Sequence, residues 1–127
     1  MRYLLLIYNT EPTEAVPEDL MASEQAGYNA FTAAIRQTGQ FEAGEALQPT
    51  STATTVRVEN GRTITTDGPF AETKEQLGGF YLVDCRDIDE AIELAARIPG
   101  ATHGSIEIRP IWDLPSGSSA EAVAVAS

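Results

Sequence analysis

The segment TTDGPFAETKEQLGGFY, residues 65–81, combines turn-forming and charged residues between two predicted strands. Its charged side chains are Asp67, Glu72, Lys74 and Glu75. A carboxylate in a partly buried cleft can transfer protons, because burial raises its pKa toward neutrality. These residue types therefore indicate acid–base chemistry on a small organic acid or carbonyl compound.

Two interpretations of this loop are open. In the first, Asp67 builds a turn with the Gly-Pro pair that follows it, and the other charges are solvated surface. In the second, the loop forms the rim of a small-molecule cleft. Asp67 or Glu75 is then the candidate catalytic base, and Lys74 or Arg109 fixes an anionic group. The other candidate substrate-binding residues are Tyr8, Arg57, Glu72 and Glu107.

The last predicted strand contains two of these candidates. Glu107 and Arg109 are two residues apart, so both side chains project from the same face of the sheet. They are either a structural ion-pair network or polar groups of the cleft. His103, in a glycine-flanked loop, is predicted to be exposed rather than catalytic, and Cys85 is predicted to be a core residue.

The sequence predicts no metal and no cofactor. It has one histidine and one cysteine, too few for a soft-metal site, and its carboxylates match no known cation loop. No glycine-rich nucleotide motif occurs.

Composition narrows the classes of partner. The 127 residues suit one domain, and 8 basic against 19 acidic residues give a net charge of −11, which disfavours nucleic acid and anionic membranes. A single cysteine excludes an intrachain disulfide. The apolar run at residues 3–8 is too short for a signal peptide or a membrane span. The predicted location is cytoplasmic.

The pattern of elements is β-α-β, hairpin, β-α-β. RYLLLIY is a strand, and a helix over 17–38 has an apolar stripe containing Leu20 and Tyr28. FEAGEAL is a weaker strand, and Asn60-Gly61 predicts a type I′ hairpin turn. GGFYLVDC is a further strand. A second helix begins at Asp87, and its predicted stripe is Ile88, Ala91, Ile92, Ala95 and Ile98.

This order predicts an α+β, ferredoxin-like sandwich, closed by the strand SIEIRPIW, with both helices on one face of the sheet. The strands at residues 2–8 and 80–85 are apolar on both faces, yet the helices cover only one. A large exposed apolar face is rare in soluble monomers, so we expect a homodimer packed sheet to sheet. The predicted domain spans 1–114, and residues 115–127 are predicted to form a flexible tail of small residues.

The segment DGPFAETKEQLGGFY resembles the signature of the YCII-related family, in the branch named for its DGPF motif. The resemblance extends to RYLLLIY, GEALQP, TTVRV and IEIRPIW, about residues 2–113. It implies a ferredoxin-like domain that pairs into a dimeric α/β barrel. It also implies a link to extracytoplasmic-function sigma factors through gene fusion or neighbourhood.

One feature of the wider family is missing. Its enzyme-like members carry a histidine in the first helix, paired with an aspartate from a loop; here that helix offers Glu24, Tyr28 and Asn29 instead. Dehalogenase-type or isomerase-type chemistry is therefore not carried over. Whether the protein is an enzyme is left open: the cleft either performs acid–base chemistry with carboxylates or belongs to a non-catalytic ligand-binding or regulatory module linked to sigma-factor signalling.

Overall fold

The computed structural model describes residues 1–114, which form two helices and six strands. In chain order these are β1 (Arg2–Asn9), α1 (Glu18–Gln37), β2 (Phe41–Ala46), β3 (Thr54–Glu59), β4 (Arg62–Asp67), β5 (Gln76–Asp84), α2 (Ile88–Arg97) and β6 (Ser105–Pro110). Short 3-10 turns cover Thr50–Thr52 and Pro99–Thr102. The predicted tail, residues 115–127, lies outside the described residues.

The main sheet has four strands in the order β2-β5-β1-β6, and all three pairings are antiparallel. This order places a strand between each pair of strands that a helix connects, as a ferredoxin-like α+β fold requires. The predicted class and order of elements are confirmed.

Both helices pack on one face of this sheet. Alternate residues of β1 are buried there together with Val83 of β5, Ile35 of α1 and Leu94 of α2. The alternation follows from the two-residue period of a strand, which sends successive side chains to opposite faces. The β1 residues on this face are Tyr3, Leu5 and Ile7.

The first helix matches its predicted bounds to within one residue. Pro17 is the residue before its first turn, and Gly39 ends it with a positive φ of 78°. The predicted stripe is wrong at Leu20, which is 58% exposed. Burial begins only near Tyr28, because the first turns of α1 extend past the edge of the core.

The second helix has the predicted N-cap, since the Asp87 carboxylate accepts a hydrogen bond from the Glu90 N–H at 2.9 Å. Its predicted stripe is partly wrong: Ile88 and Ile92 are exposed. The buried face is rotated around the helix axis relative to the predicted stripe. It consists of Ala91, Leu94 and Ala95, followed by Ile98 after the end of the helix.

Strands β3 and β4 form a separate two-stranded ribbon. The turn between them is Asn60-Gly61, with φ values of 52° and 75°. Two successive positive φ values are what a type I′ turn requires, so the predicted hairpin is confirmed. Every residue of β4 is exposed.

The face of the main sheet away from the helices is also apolar at its centre. Leu4 lies opposite Leu82, and Leu6 lies opposite Phe80. All four side chains are only partly exposed, although no helix of the described chain covers them. We call these four residues the open face. Within residues 1–114, neither helix combines the length and hydropathy needed to cross a bilayer.

Candidate functional site

A cavity of about 460 Å³ lies between α1 and the β2–β5 side of the sheet. Such a volume falls within the roughly 300–1,000 Å³ of small-molecule sites. Its α1 wall consists of residues at helical spacing, which therefore share one side of the helix. They include Glu24, Tyr28, Thr32 and Arg36.

The opposite wall is formed by the side chain of Tyr81. Its ring occupies the space that a side chain at Gly44 would fill. A Cβ atom at Gly44 would come within 2.8 Å of the Tyr81 ring. The ring is held edge-on by Phe31 and Phe41, with centroid distances of 5.1 and 6.3 Å. Tyr81 therefore has a fixed position in the cavity wall.

The hydroxyl groups of Thr32 and Tyr81 are 2.8 Å apart. Thr32 Oγ1 also donates to the carbonyl oxygen of Tyr28 at 2.9 Å. A threonine hydroxyl has a single proton, so Tyr81 is the donor in the Thr32–Tyr81 bond. Tyr81 Oη then keeps its lone pairs as hydrogen-bond acceptors.

Tyr28 lies one helical turn before Thr32 on the same face of α1. Burial raises the pKa of its phenol, the nearby Glu24 carboxylate raises it further, and a hydrogen bond from the Gly100 backbone opposes both. A Cβ atom at Gly100 would come within 2.7 Å of Tyr28 Oη, so a side chain there would displace the hydroxyl. Tyr28 is therefore protonated at neutral pH and can donate a proton or a hydrogen bond.

Glu24 lines the cavity one helical turn before Tyr28, and its Oε1 lies 3.1 Å from His103 Nε2. The two side chains are 46% and 54% exposed. His103 is exposed, as the sequence predicts, but it is also paired with the first helix. A Cβ at Gly104 would collide with Asn9 and the Tyr8 carbonyl, so this glycine brings the His103 loop close to β1.

Asn9 also lines the cavity, and its side chain carries an unpartnered polar atom. Its Oδ1 is buried and has no hydrogen-bond partner within residues 1–114. An unpaired buried oxygen costs free energy that a hydrogen bond would recover. The cavity lining thus includes carboxylate, phenol and amide groups, and the His103 imidazole is hydrogen-bonded to the Glu24 carboxylate. These groups suffice for acid–base chemistry on a polar organic molecule.

The sequence-predicted candidates fall elsewhere. Asp67 and Arg57 lie on the exposed hairpin, opposite Thr54 and Ile64. Lys74 is exposed in the loop before β5. Across the described part of the chain, no ion pair joins any two of the candidate residues.

The DGPF loop forms one wall of a second concavity, of about 390 Å³. Gly68, Pro69 and Glu72 line it together with Glu11, whose carboxylate accepts hydrogen bonds from the Thr50 N–H and hydroxyl at 2.8 and 2.9 Å. Glu11 is thus engaged in holding a loop.

The structure brings the candidates Tyr8, Glu75 and Glu107 close to one another along β1 and β6. Tyr8 Oη lies 3.5 Å from Glu107 Oε1, a long contact. Ser105, opposite Tyr8 in the sheet, donates to Glu75 Oε1 at 2.7 Å. Arg109 is two residues from Glu107 on the same face, opposite Leu4. This group lies at the margin of the open face, away from the helix cavity.

Sequence reasoning missed the cavity residues Thr32, Arg36 and Tyr81. Their signal was present in part, because Tyr28, Thr32 and Arg36 follow one another at four-residue spacing. Within residues 1–114, no group of three histidine, cysteine or carboxylate side chains is arranged to hold a metal ion.

Comparison with known proteins gives three findings. The model of the YCII-related domain matches residues 1–115. An uncharacterized protein of Rhizobium meliloti (strain 1021) is 40% identical over 114 residues, covering 87% of this chain and 92% of that protein. A 5-chloro-2-hydroxyhydroquinone dehydrochlorinase from Burkholderia phenoliruptrix AC1100, solved with 2,5-dihydroxybenzoquinone, superposes with a TM-score of 0.50 at 14% identity, over 89% of this chain and 94% of that chain. That last likeness concerns the fold.

Proposed function

This chain belongs to the YCII-related domain family, and we propose that it binds a small organic carbonyl compound in the helix cavity and transfers a proton on it. The observation that carries the proposal is the Tyr28 phenol, kept protonated, one helical turn from the Glu24 carboxylate in one cavity. An acid and a base that share a site are the minimum for proton transfer.

The Glu24–His103 pair supports this proposal. The family resemblance implies a histidine in the first helix paired with a loop aspartate. Here the two roles are exchanged, with the carboxylate on α1 and the imidazole on the loop after α2, 3.1 Å apart. In this scheme Glu24 accepts a proton from the carbon next to a carbonyl group, and His103 positions the carboxylate. Tyr28 donates to the carbonyl oxygen, where negative charge collects.

The ligand named with the structural neighbour suggests a probe. 2,5-Dihydroxybenzoquinone carries carbonyl and hydroxyl groups on one ring, and a single ring fits a cavity of about 460 Å³. Exchange of its ring hydrogens with solvent deuterium needs one proton added to carbon and another removed. Exchange therefore reports on the acid and the base together.

The experiment measures binding of this probe by titration calorimetry and exchange by proton NMR in D₂O. We expect the wild-type protein to bind it and accelerate exchange, Glu24→Gln to bind but lose at least about 100-fold of the exchange rate, and Tyr28→Phe to weaken both. Glu107→Gln, on the other side of the sheet, is the matched control and should behave as wild type. No binding would overturn the proposal. Binding without exchange would favour a non-catalytic ligand-binding module.

We also propose that the protein is a homodimer that buries the open face, as in a dimeric α/β barrel. Four apolar side chains stand at the centre of this face, with Glu107 and Arg109 beside them. The opposite charges of these two residues suit a twofold axis. A second copy would present the same pair in reverse order, so that Glu107 of each copy could face the arginine of the other. The DGPF-branch membership and the cytoplasmic location remain predictions of the sequence.

A further inference from the structure

We infer that Arg36 forms an anion-binding subsite of the helix cavity, and that the ligand is an elongated organic acid whose carboxylate binds there. The inference rests on the proposed function, since it concerns the same cavity, and it adds the chemical class of the ligand. Arg36 lies in the last turn of α1 and lines the cavity.

The guanidinium of Arg36 is held in place without being neutralised. It lies 4.5 Å from the centroid of the Phe41 ring, and Phe41 also lines the cavity. A cation over an aromatic face is attracted to the ring and keeps N–H groups at its edge available for an anion. The ring therefore fixes the position of the charge.

Arg36 differs from two other arginines of this acidic chain in having no acidic partner among the described residues. Arg2 and Arg86 pair with Asp113 and Glu90 at 3.3 and 2.8 Å. Within residues 1–114, no carboxylate lies within 4.0 Å of the Arg36 guanidinium. The net charge of −11 repels anionic ligands in general, so an organic acid needs a local cation to bind.

The positions along α1 set the length of the ligand. Arg36 is eight residues after Tyr28, a rise of about 12 Å along the helix axis. A molecule that reaches both side chains is longer than one ring. Between them lies the Thr32–Tyr81 hydroxyl pair, which suits a polar group in the middle of the ligand. The carboxylate then faces Arg36 and the reacting carbonyl group faces Tyr28 and Glu24.

The test compares the binding of 4-hydroxycinnamate, an elongated acid whose phenol replaces the reacting carbonyl group, with that of its neutral amide, 4-hydroxycinnamamide, by titration calorimetry. In the wild-type protein we expect the acid to bind at least about 10-fold more tightly than the amide, as one charge-assisted bidentate contact provides. Arg36→Met retains length and apolar packing over Phe41 but removes the charge. This variant should abolish the preference, because it weakens the binding of the acid and leaves the binding of the amide unchanged.

Arg97→Met is the matched control. Arg97, on α2, lies 5.7 Å from the centroid of the Phe31 ring. Its substitution removes the same kind of contact outside the cavity, so the variant should keep the wild-type preference for the acid. Equal binding of acid and amide to the wild-type protein, or equal behaviour of the two variants, would overturn the inference and leave the proposed function standing. If neither compound nor 2,5-dihydroxybenzoquinone binds, the proposed function fails and this inference fails with it. A carboxylate preference without deuterium exchange supports the Arg36 subsite and counts only against catalysis.

Discussion

The two faces of the main sheet carry similar residues in very different surroundings. Leu5 is 0% exposed beneath the helices, whereas its neighbours Leu4 and Leu6 point to the open face and keep part of their surface in solvent. Residue type is therefore the same and the environment differs. On the covered face an apolar side chain contributes to the stability of one chain; on the open face its contribution depends on what packs there.

The polar residues follow the same division. The covered side includes the helix cavity with its tyrosines and Arg36, while the open side has Glu75, Glu107 and Arg109 at its margins. A ligand site and an association surface can thus occupy opposite faces of one thin sheet. Substitutions that act on one face alone separate the two roles.

The largest expected effect is in the covered core. Leu5→Ala should lower the free energy of unfolding by about 2–5 kcal/mol, because it removes buried contacts and leaves a cavity. Denaturant titration measures it. Leu6→Ala is the matched control on the same strand, and we expect it to cost less than about 1.5 kcal/mol in a dilute sample. Equal losses would show that the two faces do not differ in burial.

The open face is tested by association. Leu6→Asp places a charge in the proposed sheet-to-sheet contact, where its desolvation is unfavourable. We expect the dissociation constant of the dimer to rise by at least about 100-fold. Sedimentation velocity over a range of concentrations measures this, with Leu20→Asp, on the exposed first turn of α1, as control. A wild-type protein that sediments as a monomer at every concentration would contradict the homodimer.

Two glycines sharpen the contrast at the cavity. Gly44→Ala adds a methyl group that would lie 2.8 Å from the Tyr81 ring, so it should cost about 1–3 kcal/mol of stability and displace Tyr81. At Gly78, which is exposed in β5, an added Cβ atom would meet only the backbone oxygen of Ile7, at 3.9 Å. Gly78→Ala should therefore be close to neutral in thermal unfolding. Similar losses for both would mean that Gly44 does not serve to admit the tyrosine ring.

Much of the fold was predictable because its signals are local. Asn60-Gly61 specifies its own turn, and the Asp87 carboxylate caps the helix that begins beside it. The errors at Leu20, Ile88 and Ile92 have a common cause. Helical periodicity gives the direction of a stripe, but how far the sheet reaches beneath the helix decides which residues of the stripe are buried.

The cavity was not predictable in the same way. Thr32 and Tyr81 meet across 49 residues of sequence, and Glu24 and His103 across 79. Neither pair forms a motif, so only the folded chain reveals them. The DGPF loop attracts attention because its charges are adjacent in sequence, yet the structure leaves Asp67 on an exposed ribbon and Lys74 in solvent.

The smallest expected effect concerns the alkaline stability of the covered face. Burial, with the Glu24 charge, raises the pKa of Tyr28 above its ordinary value of 10.0. A raised pKa means that folding favours the protonated phenol, so this stabilisation is complete below pH 10 and is lost as the pH rises above it. Tyr28→Phe retains the ring but cannot ionise, so its melting temperature should fall less between pH 9 and pH 11 than that of the wild type.

Burial also raises the pKa of the Cys85 thiol, and that contribution stays in both proteins. Tyr8→Phe, which removes a hydroxyl at the margin of the open face, is the matched control. A steeper alkaline loss in Tyr28→Phe than in the wild type would show that the Tyr28 hydroxyl is not protected by the fold, and would remove the acid from the proposed site.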